Sequence, residues 1–306
     1  MAPSRFTAVA IALSLAALAA AGCGLGPGKD LGDVSLAVTR DYGSEPVIEP
    51  VSERVSEADT VMRVLERRAQ ISTRYGGGFV QSIEGLEAEE ALGSGPRDWF
   101  FYVNGVESTV GAADYSLHGG ERIWWDYRDW SAAMRVPAVV GSWPQPFVGG
   151  YEGRARPVSV LCMGGGAKAC GLTRQRLAGT GASLTGPADA AIRVLVGPWR
   201  TLRRDPAAAQ IEDGPEASGV FAEIDGAGAA CRIEGMDEGG RPVRRFGRDA
   251  GLVAATRRYE APPTWVVSGC DEAGVEAAAR LLDGADLRDR YAVVTEGGAE
   301  TPLPVR

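Results

Sequence analysis

The sequence predicts an α+β protein with two successive domains, and three observations support this prediction. Short runs of alternating apolar and polar residues recur along the chain, as is typical of half-buried strands. One strong helical period interrupts them in the first half, whereas strands that end in glycine lead into helices in the second half. Residues 132–156, which are rich in Pro, Gly and aromatics without a clear period, separate the two halves. The 306 residues suffice for two hydrophobic cores.

The first 22 residues are typical of an export signal. Arg5 supplies the positive start, and residues 6–19 form an apolar run that is short for a membrane span. The run ends in Ala-Ala-Gly-Cys23, which resembles the lipobox of bacterial lipoproteins, although Ala20 stands where those proteins more often have Leu. In such proteins the cysteine is diacylated and becomes the first residue. The alternative is an ordinary secretory signal peptide cut near an Ala-x-Ala site.

The lipoprotein interpretation also explains the composition of the chain after Cys23. Residues 23–32 begin Cys-Gly-Leu-Gly-Pro-Gly, a composition typical of a flexible tether. Two acyl chains suffice for stable anchoring. We therefore predict lipidation at Cys23, with the membrane as a partner and the body on the outer face of the cell membrane.

The charge of the chain argues against nucleic acid as a partner. The formal net charge is −8, and the densest basic groups are pairs such as Arg203–Arg204. Binding to nucleic acid needs clustered Lys and Arg to neutralise phosphates. We expect no nucleic-acid partner.

A first domain, with one helix on a mixed sheet, is predicted over residues 33–131. Strands are predicted from the period of two at residues 33–43, 76–86, 98–106 and 117–130. The helix is predicted within residues 56–71, with Ser56 as its N-cap. Asn104-Gly105 predicts a hairpin turn.

Residues 132–156 are predicted to be the linker, whose aromatics indicate that it packs on something. The second domain, residues 157–306, is predicted to be α/β or α+β. Its predicted strands are residues 156–162, 190–197, 263–269 and 289–297. Helices are predicted within residues 163–179 and 270–284, and a hairpin or meander over 219–247.

Four cysteines besides Cys23 predict disulfides in an oxidising compartment. Cys162, Cys170, Cys231 and Cys270 allow three connectivities, of which Cys162–Cys170 with Cys231–Cys270 closes the shortest loop. Zinc is disfavoured, because there is no Cys-x-x-Cys spacing and the single histidine, His118, is distant in sequence. We expect no metal site.

Residues 122–130, RIWWDYRDW, concentrate three tryptophans among charged residues. By the period of two, one face of this strand carries Ile123, Trp125 and Tyr127, which we predict to be core. The opposite face carries Trp124, Asp126, Arg128 and Trp130. Two interpretations stay open for it. Either Trp143 and Phe147 cover it as an interdomain contact, or Trp124 and Trp130 stack on a flat ligand, a glycan or a partner protein.

Catalytic constellations are not recognisable. A Ser–His–acid triad would have to use His118, and the glycine-rich residues 164–168 lack the Gly-Lys-Ser/Thr that cradles phosphate. Glu121 and Asp126 among the tryptophans leave a cell-envelope glycan hydrolase as the alternative. Asp126 and Arg128 fit an exposed ion pair equally well. We therefore expect that the protein is not an enzyme.

Two segments of the first domain resemble a known family. Residues 99–106, WFFYVNGV, and residues 113–127, ADYSLHGGERIWWDY, are similar to the C-terminal domain of transcobalamin and intrinsic factor and to a related domain of bacterial surface lipoproteins. In that family an aromatic strand ends in Tyr-Val-Asn-Gly, and a Leu-x-Asp-Gly-Asp-x-Ile-x-Trp strand comes next. Here His118 and Gly119 replace the usual Asp-Gly region. The resemblance covers residues 33–130.

The resemblance implies a β-grasp-like fold for the first domain. In the vitamin carriers this domain closes over cobalamin together with a large helical domain, which has no counterpart in this chain. Cobalamin therefore stays one possible ligand, and no cofactor is certain. The candidate ligand-binding residues are Tyr102, Asn104, Trp124, Asp126, Arg128 and Trp130.

These observations together predict a lipid-anchored extracytoplasmic binding protein. Its ligand would be a small molecule such as a corrinoid, or a component of the cell envelope. The alternatives are the glycan hydrolase and a non-catalytic structural adaptor.

Overall fold

The computed structural model describes residues 28–89, 95–186, 191–226 and 230–306. The predicted signal peptide and lipidation site Cys23 lie outside these residues. The fold is α+β, as predicted. None of the described helices is long and apolar enough to cross a membrane.

The first half, residues 28–131, is built mainly of strands. Its strands are β1 (Asp30–Arg40), β2 (Glu45–Ser56), β3 (Ile71–Arg74), β4 (Phe79–Ile83), β5 (Leu86–Glu87), β6 (Arg97–Val103), β7 (Val106–Glu107) and β8 (Arg122–Asp129). The helix α1 spans Val61–Arg68, and a 3-10 turn spans Tyr75–Gly77.

Five of these strands form a mixed sheet in the order β2-β1-β8-β6-β7. β1 and β8 lie parallel at its centre, and the other neighbours are antiparallel. α1 covers one face, where Val64 and Leu65 share a core with Ile123, Trp125 and Tyr127. This is the predicted β-grasp-like arrangement, and the predicted core face of β8 is confirmed.

The predicted bounds differ from the structure near the start of the domain. β1 begins at Asp30, so the end of the predicted tether belongs to the sheet. β2 was not predicted, because its prolines and charges obscure the period of two. α1 begins at Val61, where the hydroxyl of Thr60 caps the helix by accepting from the N–H of Arg63 (3.3 Å). The predicted cap, Ser56, instead donates to the carboxylate of Asp59 (2.8 and 2.9 Å).

The second half, residues 157–306, alternates strands and short helices. Its strands are β9 (Val158–Cys162), β10 (Leu184–Thr185), β11 (Ile192–Pro198), β12 (Ala222–Asp225), β13 (Arg232–Met236), β14 (Pro242–Phe246), β15 (Gly251–Thr256), β16 (Thr264–Gly269), β17 (Ala292–Glu296) and β18 (Ala299–Leu303). Its helices are α2 (Ala167–Gly179), α3 (Trp199–Leu202), α4 (Pro206–Ala209), α5 (Pro215–Ser218), α6 (Glu272–Arg280) and α7 (Gly284–Leu287). A 3-10 turn spans Gln210–Asp213.

The main sheet of this half has the strand order β10-β9-β11-β16-β15-β17-β18. The first four are parallel, and the last three alternate in direction. α2 and α6 cover one face, burying Leu177, Val275 and Ala278. β12, β13 and β14 form an antiparallel meander, as predicted.

The structure pairs Cys162 with Cys170 and Cys231 with Cys270. The Cα atoms are 5.9 and 5.5 Å apart, within the range that disulfides bridge. The predicted disulfides are confirmed, in the connectivity that closes the shortest loop.

The two halves share one core, and the connecting segment, residues 132–156, is part of it. Tyr102 and Trp124 from the first half pack in one cluster with Val136 of the segment and with Phe221 and Tyr291 of the second half. The opposite face of β8 therefore meets the second half and not solvent. This contact buries candidate site residues such as Tyr102 and Trp124 in the interior.

Candidate functional site

Trp124 is fully buried between the two halves. Its ring centroid lies 5.6 Å from that of Tyr102 and 5.4 Å from that of Tyr291. Its indole N–H donates to the hydroxyl of Thr39 (2.8 Å). A tryptophan enclosed in this way has no face left for a ligand.

The groups that cover the indole are not the predicted ones. A Cβ atom added to Gly43 or Gly141 would lie 2.9 or 2.8 Å from the indole, so both backbones pack directly on the ring. Trp143 and Phe147 instead pack on Trp265 of β16, with centroid distances of 5.9 and 4.7 Å. The interdomain contact is therefore present, but tyrosine rings and glycine backbones form it, and Trp143 and Phe147 do not.

Asp126 is fully buried beside Trp124 and is surrounded by donors. One carboxylate oxygen accepts from the hydroxyl of Thr39 (2.6 Å) and the N–H of Gly43 (3.0 Å), and the other accepts from the hydroxyl of Tyr291 (2.9 Å). Burial raises the pKa of Asp126 to about 6, although these donors and the nearby Arg128 favour the charged form. The carboxylate therefore joins the two halves through Tyr291.

Arg128 is also fully buried. Its guanidinium donates to the carbonyl oxygens of Asp129 (3.1 Å), Ala133 (2.7 Å) and Met134 (3.0 Å) and lies 3.7 Å from the ring centroid of Phe100. These bonds fix the chain where β8 leads into the connecting segment. The predicted exposed ion pair with Asp126 is wrong, because both side chains are buried and Arg128 binds carbonyl oxygens.

Tyr102 and Asn104 are fully buried as well. The hydroxyl of Tyr102 donates to that of Tyr291 (3.3 Å), and burial raises the pKa of Tyr102 well above its ordinary value. The amide of Asn104 accepts from the N–H of Arg122 (2.9 Å) and donates to the carbonyl of Gly150 (2.9 Å). Asn104 adopts φ 52° in the predicted hairpin turn. Its hydrogen bond to Gly150 holds this turn on the connecting segment.

Five of the six predicted ligand-binding residues thus lie in the interior: Tyr102, Asn104, Trp124, Asp126 and Arg128. Of the two interpretations that stayed open for the opposite face of β8, an accessible stacking surface does not fit Trp124, because the second half covers it. Trp130, beyond the end of β8, is the exception and is half-buried.

Trp130 lines a groove of about 520 Å³ on the first half, which we call the aromatic groove. Tyr75 and Phe79 also line it, with 85% and 38% of their surfaces exposed. Their ring centroids are 6.1 Å apart. Tyr75 has φ 54° and Gly76 has φ 73°, so the tight 3-10 turn between β3 and β4 projects both rings to the surface.

The aromatic groove is also lined by acidic and basic side chains. Glu89, Asp98 and Arg97 line it. The carboxylate of Asp98 accepts from the N–H of Trp99 (2.7 Å), and burial raises its pKa above the ordinary value. Aromatic faces beside hydrogen-bonding groups are the usual composition of a small-molecule site.

A second groove, of about 760 Å³, lies between the two halves. Arg97 lines both grooves, and its guanidinium pairs with Asp41 and with Glu238 (3.2 Å). Arg241 of the second groove pairs with Asp237 (2.7 Å). The charges of this groove are largely neutralised within it, so the aromatic groove is the stronger candidate site.

The two carboxylates of the hydrolase alternative are both in the interior. Glu121 is 4% exposed and accepts from the hydroxyl of Tyr115 (3.0 Å) and the N–H of His118 (2.9 Å), and burial raises its pKa. Asp126 is enclosed as described above. Neither carboxylate is accessible to a glycan in this arrangement. Within the described ranges, no three His, Cys, Asp or Glu side chains cluster as metal ligands do.

Sequence reasoning missed Tyr75, Phe79 and Asp98. The available signal was the segment Tyr-Gly-Gly-Gly-Phe, residues 75–79, in which two aromatics flank a glycine turn. Glycines have no side chains, so aromatics beside such a turn have few neighbouring groups to bury their rings.

Comparison with known proteins matches only part of the chain. Residues 58–129 match a family described as a domain of unknown function, DUF4430, which is transcobalamin-like. The match begins just before α1 and ends at the last residue of β8. No curated protein matched the chain.

Proposed function

We propose that this chain is a lipid-anchored extracytoplasmic binding protein that holds a cell-envelope glycan in the aromatic groove. The observation that carries the proposal is the convergence of Tyr75, Phe79 and Trp130 on one groove of about 520 Å³. Exposed aromatic rings that share one concave surface are characteristic of interaction sites.

The chemistry of the groove suits a sugar. The apolar C–H face of a sugar ring stacks on the electron-rich face of an aromatic ring. The hydroxyl groups at the edge of the sugar then need acceptors and donors. Glu89 and Asp98 supply acceptors, whereas the guanidinium of Arg97 is already paired with Asp41 and Glu238.

The location rests on the sequence. An apolar run that ends in Ala-Ala-Gly-Cys23 supports export and lipidation at Cys23. Two disulfides support an oxidising compartment. On the outer face of the membrane, a glycan of the envelope is a ligand within reach of an anchored domain.

A corrinoid is the second candidate ligand. The finer resemblance of the first half, to the C-terminal domain of transcobalamin and intrinsic factor, favours it. Cobalamin offers a flat ring system that could stack on the same aromatics. A saturable change in the absorbance of cobalamin on titration with the protein would support this candidate against the glycan.

We expect Tyr75→Ser and Trp130→Ala each to weaken binding of soluble cell-wall glycan fragments by about tenfold, because each removes one stacking surface. Isothermal titration calorimetry measures the affinity. Tyr259→Ser is the matched control, since Tyr259 is 84% exposed but lies outside the aromatic groove. Equal affinities of the groove variants and the control would contradict the proposal.

Prolonged incubation of the protein with the glycan fragments separates binding from hydrolysis. A binding protein returns the glycan intact, whereas a hydrolase shortens it on prolonged incubation. Shortening that Asp98→Asn abolishes would replace the proposal with the hydrolase alternative, on a carboxylate that lines the groove.

A further inference from the structure

The two disulfides lie in opposite environments. Cys231 and Cys270 are each only 4% exposed. Cys170 is similarly buried, at 3%, but its partner Cys162 is exposed. A thiol in solution can therefore approach one end of the Cys162–Cys170 bond, whereas both ends of the other bond are shielded.

The exposed disulfide occupies a position that favours chemistry. Cys162 is the last residue of β9, which lies parallel to β11, and β11 in turn lies parallel to β16. In open sheets of this kind, ligands and reactive groups gather at the carboxyl ends of the parallel strands. Three glycines with positive φ, residues 164–166, then lead into α2, and Cys170 lies in its first turn.

The start of α2 can stabilise a released thiolate. The N-cap is Gly166, which has no side chain to accept from the first N–H groups of the helix. Side chains in the first turn point back toward the helix N-terminus. The positive end of the helix favours a thiolate in the first turn, where Cys170 lies.

We propose that Cys162–Cys170 is a thiol–disulfide exchange site for thiols in solution, whereas Cys231–Cys270 is structural. In the first step an external thiolate attacks Sγ of Cys162 and forms a mixed disulfide. The bond to Cys170 breaks, and its electron pair leaves on Sγ of Cys170. A second thiolate then attacks the external sulfur and releases Cys162 as a thiolate. Two external thiols are oxidised to their disulfide, and the protein gains two electrons.

The lengths of the two closed loops favour the same division. Cys162 and Cys170 are eight positions apart, and Cys231 and Cys270 are 39 apart. A cross-link over a short loop restricts the unfolded chain less than one over a long loop. Opening Cys162–Cys170 therefore costs less native stability, so the fold survives the exchange.

The test is reduction of the purified protein by glutathione under native conditions, with alkylation of free thiols and identification by peptide mass spectrometry. We expect Cys162 and Cys170 to be alkylated at least tenfold faster than Cys231 and Cys270, with an unchanged far-UV circular dichroism spectrum. Equal rates for the two pairs, or faster reduction of Cys231–Cys270, would overturn the proposal.

Two single variants test the direction of attack, and both lack the same bridge. Cys170→Ser leaves the exposed Cys162, which we expect to form a mixed disulfide with oxidised glutathione. Cys162→Ser leaves the buried Cys170, which we expect to react at least tenfold more slowly. Similar rates for the two variants would contradict attack at Cys162, and destabilisation by loss of the bridge would affect both alike.

Discussion

Trp124→Ala is expected to lower the free energy of unfolding by about 3–5 kcal/mol, the usual cost of removing a fully buried tryptophan. The indole packs on Tyr102 of the first half and Tyr291 of the second, and its N–H donates to Thr39. Surrounding side chains have little freedom to fill the cavity, because the backbones of Gly43 and Gly141 already press on the ring. Urea unfolding followed by circular dichroism measures the loss.

Trp130→Ala is the matched control for this experiment, since it removes the same side chain from a half-buried position. We expect it to cost less than half as much stability as Trp124→Ala. A loss below about 1 kcal/mol for Trp124→Ala would contradict its place at the centre of the shared core.

Asp126→Asn is expected to change the dependence of stability on pH. Burial raises the pKa of Asp126 to about 6 in the folded protein, whereas an unfolded Asp has a pKa of about 3.9. Between these values the folded state keeps a proton that the unfolded state releases, so the stability due to this group falls as the pH rises. The shift corresponds to about 3 kcal/mol.

The measurement is the free energy of unfolding of both proteins at pH 4 and pH 7. We expect the difference between variant and wild type to move by about 2 kcal/mol in favour of the variant between pH 4 and pH 7, because part of the shift already acts at pH 4. Asn retains an acceptor for Gly43 and offers a donor to Tyr291, so the contact between the halves can persist. A difference that does not change with pH would show that Asp126 titrates normally.

The alternation along β8 could be predicted because a strand obeys a period of two whatever covers it. Ile123, Trp125 and Tyr127 fall on the core face as expected. The cover of the other face could not be predicted. Asp126 and Arg128 are residue types that usually face solvent. Asp126 nevertheless accepts a hydrogen bond from Tyr291, 165 positions away in the chain.

The aromatic groove was beyond prediction for a related reason. Trp130 is separated in sequence from Tyr75 and Phe79, and they reach one surface because the bridge between Glu89 and Arg97 holds the sheet of β3, β4 and β5 beside β6. The disulfide pairing was easier to predict, because the three connectivities can be ranked by the length of the loops that they close.

We propose that the ligand surface of this chain is the aromatic groove and not the opposite face of β8. Hydroxyl-radical footprinting with peptide mass spectrometry, with and without soluble cell-wall glycan fragments, tests it in one measurement. The structure predicts that Tyr75 and Trp130 are oxidised in the free protein and protected by the glycan, while Trp124 is unreactive in both samples. Oxidation of Trp124 at the rate of Trp130 in the free protein, with protection by the glycan, would contradict it.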